Sequence, residues 1–193
     1  MTRRELYEKV YDILDKVTPL QSDCGELCGK ACCKSPDEDA GMYLFPGEEV
    51  MFSEVPSWLK IEPSDFTYGN NKTVLIAICS DKCQRELRPL ACRIFPLTPY
   101  MNRNGVMDIR IDPRAVPMCP LARQPVSYSL DKDFIDAVSK AFRLLVKDKE
   151  ILSFISAVSG LIDEQERLLD LFAPGYNRNR GKKQRGAIRR ERY

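Results

Sequence analysis

Cys24-Gly25-Glu26-Leu27-Cys28-Gly29-Lys30-Ala31-Cys32-Cys33 places four of the chain's eight cysteines in a single short stretch and twice sets a glycine directly after a cysteine. Thiolates bound to a metal are stabilised when backbone N–H groups turn toward them, and glycine lets a chain curl around an ion at no steric cost. Spacing of four would put Cys24, Cys28 and Cys32 on one helical stripe, but Gly25 and Gly29 disfavour a regular helix, so a turn-rich loop or a frayed helical start is expected. Neighbouring side chains diverge in helix and strand alike, so Cys32 and Cys33 are not expected to chelate one small ion together. The stretch thus predicts two metal positions or one polynuclear cluster, and a middle region organised by sulfur.

Outward from this loop the patterning becomes regular. Thr2-Arg3-Arg4-Glu5 has the form of a capping box, and Leu6, Val10, Ile13, Leu14 and Val17 recur at helical spacing as far as Thr18-Pro19. Tyr7 and Tyr11 lie on the flank of that helix, where core packing is the expectation and redox service beside a cluster the alternative. Met42-Tyr43-Leu44-Phe45 is a short strand stopped by Pro46-Gly47, and 48–52 reads as the start of a short helix. Trp58, the only tryptophan, falls in a loop and is expected as a satellite core contact rather than a ligand-stacking surface. Gly69-Asn70-Asn71 turns into the strand 73–78, which delivers Cys79. Turns are expected at Pro99 and across 102–105, and Val106-Met107-Asp108-Ile109-Arg110-Ile111 alternates like a half-buried strand. From Asp131 apolar residues recur at helical spacing, predicting two helices or one kinked helix up to Phe172, ahead of Pro174-Gly175.

Composition bounds the function. With 193 residues and 44% hydrophobic residues the chain is sized for one packed domain. The net charge of +2 hides an asymmetry: residues 177–193 carry eight Lys/Arg and one Glu, leaving 22 basic and 27 acidic residues before them, a body near −5. The domain is expected over 1–173, with a cysteine core about 20–122 and a helical part about 130–173. Residues 174–193 read as a basic disordered tail. Such a tail would be a solvated end or a weak phosphate-binding arm for nucleic acid or an anionic surface. The opening residues run straight into a charged amphipathic segment without an export-type apolar stretch, and no apolar run approaches the roughly 20 residues of a membrane span. A reducing, cytoplasmic setting follows as the expectation, where cysteines serve as ligands or redox groups before they serve as disulfides. The absence of histidine excludes cysteine–histidine zinc fingers, cysteine–histidine nucleophile pairs and serine–histidine–aspartate triads.

The ligand set expected is Cys24, Cys28, Cys32, Cys33, Cys79, Cys83, Cys92 and Cys119. Four plus four suggests two all-thiolate sites that need not follow sequence order. All-cysteine ligation suits an iron–sulfur cluster or iron, and equally suits structural zinc. Lys30, Lys34, Lys82, Arg85, Arg88, Arg93 and Arg123 lie near the cysteines and can offset thiolate charge. The fold class expected is α+β, a small irregular cysteine-centred core with short strands packed with an N-terminal helix and C-terminal helices.

With both cysteine groups in view, the chain resembles the YkgJ-type cysteine-cluster family, a zinc- or iron-chelating domain with a CxxCxxCC-like opening. The resemblance rests on Cys24-x3-Cys28-x3-Cys32-Cys33, on Glu48 or Glu49 where that family often has an acidic residue, on Cys79-x3-Cys83, and on Arg88-Pro89-x2-Cys92-Arg93-x-Phe95-Pro96. It spans roughly residues 20–122, and the opening spacing here is three and three. It implies metal binding and, more loosely, iron–sulfur oxidoreductase chemistry or protein lysine N-methylation, since the domain also occurs in flagellin lysine N-methylases. Three functions stand as expectations. The first is an iron–sulfur or iron protein for electron transfer or cluster-dependent modification of a macromolecule, with a protein partner or substrate. The second is a zinc-stapled binding module using its basic tail. The third is a lysine methylase, for which the chain has no Gly-rich strand–loop–helix signature. Catalytic residues are not assignable; Glu48, Glu49, Arg88 and Arg93 are the polar residues of interest after the cysteines.

Overall fold

A computed structural model of the chain describes residues 1–34, 41–80, 83–124, 127–172 and 191–192. In chain order the elements are α1 (Arg3–Asp15), α2 (Gly25–Cys28), β1 (Met42–Tyr43), β2 (Leu59–Tyr68), β3 (Lys72–Cys79), α3 (Leu90–Ile94), β4 (Leu97–Met101), β5 (Val106–Ile111), α4 (Pro120–Arg123), α5 (Lys132–Leu145), α6 (Lys149–Phe172) and β6 (Glu191–Arg192). Antiparallel strands lie between an N-terminal helix and C-terminal helices, the α+β class expected.

The helix boundaries follow from side chains that satisfy orphan N–H groups. The Thr2 hydroxyl accepts from Glu5 N at 3.2 Å, and the Glu5 carboxylate accepts from Thr2 N at 2.8 Å, completing the capping box of α1. Asp131 caps α5 by accepting from Asp133 N and Phe134 N. Asp148 accepts from Glu150 N and Ile151 N, so the C-terminal pattern resolves into two helices rather than one kinked helix.

The strands form two small sheets of order β1-β3-β2 and β4-β5-β6. All their pairings are antiparallel. Two features differ from expectation. β2 is a full strand although Pro63, Ser64 and Asp65 interrupt its alternation; it is an edge strand, and its register shifts between Pro63 and Thr67. Proline is tolerated at such an edge because a missing donor there need not break a ladder. Likewise Pro99 makes no turn but sits in β4 opposite Ile109, again on an edge. The 102–105 turn is present, with the Asn102 side chain accepting from Asn104 N and Val106 N and Gly105 at φ 71°.

The main apolar core is built where α1, α5 and α6 meet the sheets. Tyr7, Val10, Phe134, Val138, Phe142, Leu145, Ile151, Ile155 and Ile162 are wholly buried in it, and Phe45 reaches in from behind β1 to pack on Phe142 and Phe154. Tyr7 and Tyr11 are core residues, the phenol of Tyr7 donating to Pro46 O at 2.9 Å. No cysteine belongs to the buried set of this cluster; Cys24 and Cys119 lie in one smaller apolar cluster, and Cys79 and Cys83 pack against another. Of the basic tail, 174–190 and Tyr193 fall outside the described residues, and Glu191 and Arg192 pair with Met107 and Val106. Among the described residues no helix is long and apolar enough to cross a membrane.

Candidate metal centre

The opening loop leaves α1 through Thr18 and Pro19, whose carbonyl accepts from Asp131 N at 2.9 Å. Asp23 accepts from Gly25 N at 2.9 Å and starts the single turn of α2, with Cys24 before it and Cys28 at its end. Two consecutive left-handed residues, Gly29 (φ 59°) and Lys30 (φ 60°), then reverse the chain into a 3-10 turn, Ala31–Cys33. The frayed helical start is thus present, and the two glycines act differently. Gly29 supplies positive φ, whereas Gly25 is helical and makes room: a Cβ there would meet Lys30 Cγ at 2.9 Å. Backbone bonds of this segment close within it, from Lys30 N to Gly25 O, Cys33 N to Lys30 O and Lys34 N to Ala31 O.

The second cysteine group arrives from three elements. β3 ends on Cys79, cross-strand from Leu59, as its apolar run predicts. The block Arg88-Pro89-Leu90-Ala91-Cys92-Arg93 folds as a tight unit around α3. Pro89 O accepts from both Cys92 N and Arg93 N. Arg93 turns back to donate to Arg88 O at 2.9 Å and Glu86 O at 2.8 Å, while its guanidinium lies 4.1 Å from the Tyr11 ring centre. Arg88 is thereby free to face sulfur, and its Nε donates to Cys83 Sγ at 3.3 Å. Cys119 precedes α4, with Pro120 at the first helical position where a missing N–H costs nothing.

Glu48 is the acidic residue that matters, and it is wholly buried, whereas Glu49 is exposed. Its Oε1 accepts from Tyr11 OH at 2.7 Å and Leu90 N at 2.5 Å, and its Oε2 accepts from Phe45 N at 2.9 Å. One carboxylate thus ties α1, the segment that follows β1 and the start of the helix that carries Cys92. Burial pushes its pKa above the ordinary value, and the three donors with nearby Arg93 offset part of that. Glu48 thus serves a helix start across the fold: the N-terminus it accepts from belongs to α3.

None of the eight cysteines, all among the described residues, is joined in a disulfide. Cys24 and Cys119 share one apolar cluster with Ala115, Leu121 and Ala122, and Cys79 and Cys83 pack against another formed by Leu44, Phe52, Trp58, Leu59 and Ala77. Trp58 is a core contact as expected, and its buried indole N–H has no hydrogen-bond partner among the described residues. Cys32 and Cys33 lie in the same 3-10 turn, and the Cys32 thiol has a side-chain hydrogen bond with Cys33. That bond, then burial, then the charges of Cys33, Cys28 and Cys24 push the Cys32 thiol far up. Burial followed by Asp23, Cys119 and Cys28 raises Cys24, and burial followed by Cys83, Cys79, Cys33 and Glu48 raises Cys92 strongly. For Arg88, burial works against the charge, but the Cys83 bond and the charges of Cys83, Cys33 and Cys92 outweigh it and hold the guanidinium above its ordinary value.

Among the described residues no three Cys, Asp or Glu side chains close to within reach of one ion. The donor chemistry nevertheless fits a thiophilic metal. Thiols that oppose each other's ionisation are a set whose deprotonation a cation relieves, and the half-buried apolar surroundings suit a neutralised centre better than free thiolates. Of the cations expected near sulfur, Arg88 makes that contact. Arg85 instead donates to Asp15 O and Val17 O at the end of α1, and Arg123 to Val116 O and Pro117 O, so both act as loop and helix caps. Lys82 lies outside the described residues. Comparison of the chain with protein-family models, with curated proteins and with solved structures finds no match.

Proposed function

We propose that this chain is a cysteine-cluster metalloprotein that holds iron–sulfur or iron centres through Cys24, Cys28, Cys32, Cys33, Cys79, Cys83, Cys92 and Cys119. Its task would be electron transfer or cluster-dependent modification of a macromolecule in a reducing, cytoplasmic setting. The observation that carries the proposal is a guanidinium bonded to sulfur beside thiols drawn from separate segments: Arg88 donates to Cys83 Sγ at 3.3 Å, Cys79 and Cys83 pack against one apolar cluster, and Cys24 and Cys119 share another. The resemblance to the YkgJ-type family points the same way on motif residues alone.

When bound, such a centre supplies one-electron chemistry at a potential set by net charge, hydrogen bonds to sulfur and solvent access. The chain's own contribution is specific. Arg88 donates to sulfur and offsets negative charge, Arg93 and Glu48 fix the backbone on either side of Cys92, and the apolar clusters pack against Cys79 and Cys83 and bury Cys119. Anaerobic purification from iron-replete cells tests the proposal: the protein should be brown, with broad absorbance near about 400 nm. Colourless protein carrying stoichiometric zinc would refute the iron assignment while keeping the thiol site, and metal-free protein would refute both.

A further inference from the structure

We propose that the outer edge of β5 is a strand-addition site whose occupant is this chain's own C-terminal end, docked by main-chain pairing at Glu191 and Arg192. The site is separate from the metal function and does not rest on it. In an antiparallel ladder the N–H and C=O of successive residues point alternately to one side and the other. Val106 turns both groups to the β4 side: its N donates to Asn102 Oδ1 at 3.0 Å, and its O accepts from Asn102 N at 3.0 Å. Asp112 N donates to Pro96 O at 2.8 Å on that same side. The alternation therefore turns Asp108 and Arg110 toward β4 as well, and sends the peptide groups of Met107, Ile109 and Ile111 to the opposite edge. Met107 is the residue that stands across from Glu191, so this is the pair that exchanges both bonds.

The two outer strands of this sheet differ in what they offer an incoming strand. On β4 the same alternation sends Pro99 and Met101 outward. Pro99 has no N–H, and Met101 N donates to Ser159 Oγ of α6 at 2.9 Å, so neither presents a donor there. β5, Val106–Ile111, contains no proline, and its outward N–H groups are all present. Met107 is buried, and a buried peptide group needs a partner. Glu191 supplies it, antiparallel and in register. Two residue pairs make a short ladder, and so short a strand is marginal by itself, which makes the docked end exchangeable for the same segment offered from outside. A partner's extended segment reaches this edge only by displacing the C-terminal end, through the main-chain bonding by which peptides extend open sheets.

Amide hydrogen exchange of the full-length chain, followed residue by residue by nuclear magnetic resonance, tests the site. Glu191→Pro removes the donor that main-chain pairing needs at that position and should release the strand, whereas Glu191→Ala keeps the donor. In Glu191→Pro the Met107 amide should exchange about 5–10-fold faster. Val106 and Asp108 should stay within about twofold of wild type, because their bonds run to the other side. Glu191→Ala should match wild type. A synthetic peptide of residues 187–193, added to the Glu191→Pro chain, should restore protection at Met107. An unchanged Met107 amide, equal acceleration at all three positions, or a peptide without effect would each overturn the proposal. Dilution of wild type completes the test: protection of Met107 should not depend on concentration, and protection lost on dilution would assign the edge to a second copy of the chain and overturn docking by its own end.

Discussion

Substituting Glu48 probes the link between the helical core and the sulfur region. Glu48→Ala strands three buried donors, Tyr11 OH, Leu90 N and Phe45 N, each of which gives up a bond of 2.5 to 2.9 Å. Leaving one buried donor unsatisfied costs about 1–3 kcal/mol, and the relief of no longer burying a carboxylate offsets part of the total, so a net loss of about 3–5 kcal/mol is expected. Glu48→Gln is milder. With its amide oxygen in the place of Oε1 it keeps the bonds from Tyr11 and Leu90 and turns its NH2 toward Phe45 N, stranding one donor at a cost of about 1–3 kcal/mol. Urea unfolding of the zinc-loaded proteins, with the midpoint shifted at unchanged slope, measures both. The pH dependence carries a sign. Because burial raises the pKa of Glu48 in the fold, the native state holds its proton longer than the unfolded chain. Wild-type stability from this group is then full below about 4.5 and falls as pH rises through the native pKa, so the gap to Glu48→Gln narrows with rising pH. A Glu48→Ala protein within about 0.5 kcal/mol of wild type would refute the claim that this carboxylate holds α3 in place.

Other outcomes follow from the same contacts. Arg88→Gln removes the donor to Cys83 Sγ and should weaken metal retention about 10–100-fold in competition with a chelator, with Arg88→Lys intermediate. Gly41→Ala would drive a Cβ to 2.3 Å from Ala77 O and should cost several times more stability in thermal unfolding than Gly29→Ala. At Gly29 nothing lies within 4 Å and only the positive φ opposes a side chain, a cost of about 1 kcal/mol. Glu150 accepts from Lys72 and Tyr68 and pairs with Arg3, and chiefly the Lys72 bond holds its pKa below the ordinary value. Its contribution is present above pH 4.5 and lost as pH falls through the native pKa, so Glu150→Gln should flatten that part of the acid unfolding curve.

Much of the framework was legible in the residues. The Thr2–Glu5 capping box, the apolar stripes of α1, α5 and α6, and the alternation of 106–111 are local signals, and local signals survive folding when the core wants the same face. Pro99 misled because proline's meaning depends on whether a strand is central or at an edge, which sheet order decides and local sequence does not. The sulfur region was legible as an inventory of thiols, not as an arrangement. Nothing local brings Cys24 beside Cys119, or makes Glu48 rather than exposed Glu49 the buried acceptor; both depend on contacts between distant segments. The arginines divide for the same reason. Arg85, Arg88, Arg93 and Arg123 look alike as basic residues near cysteine, yet the guanidiniums of Arg85, Arg93 and Arg123 donate to backbone carbonyls while that of Arg88 donates to sulfur.

The most direct test of the central claim is the metal content of the native, anaerobically purified protein, quantified together with its electron paramagnetic resonance spectrum after reduction. Iron in stoichiometric amount, with a signal lost on alkylating the eight cysteines, is the result expected. Full-length, folded protein with all eight thiols titratable and no bound metal would contradict it.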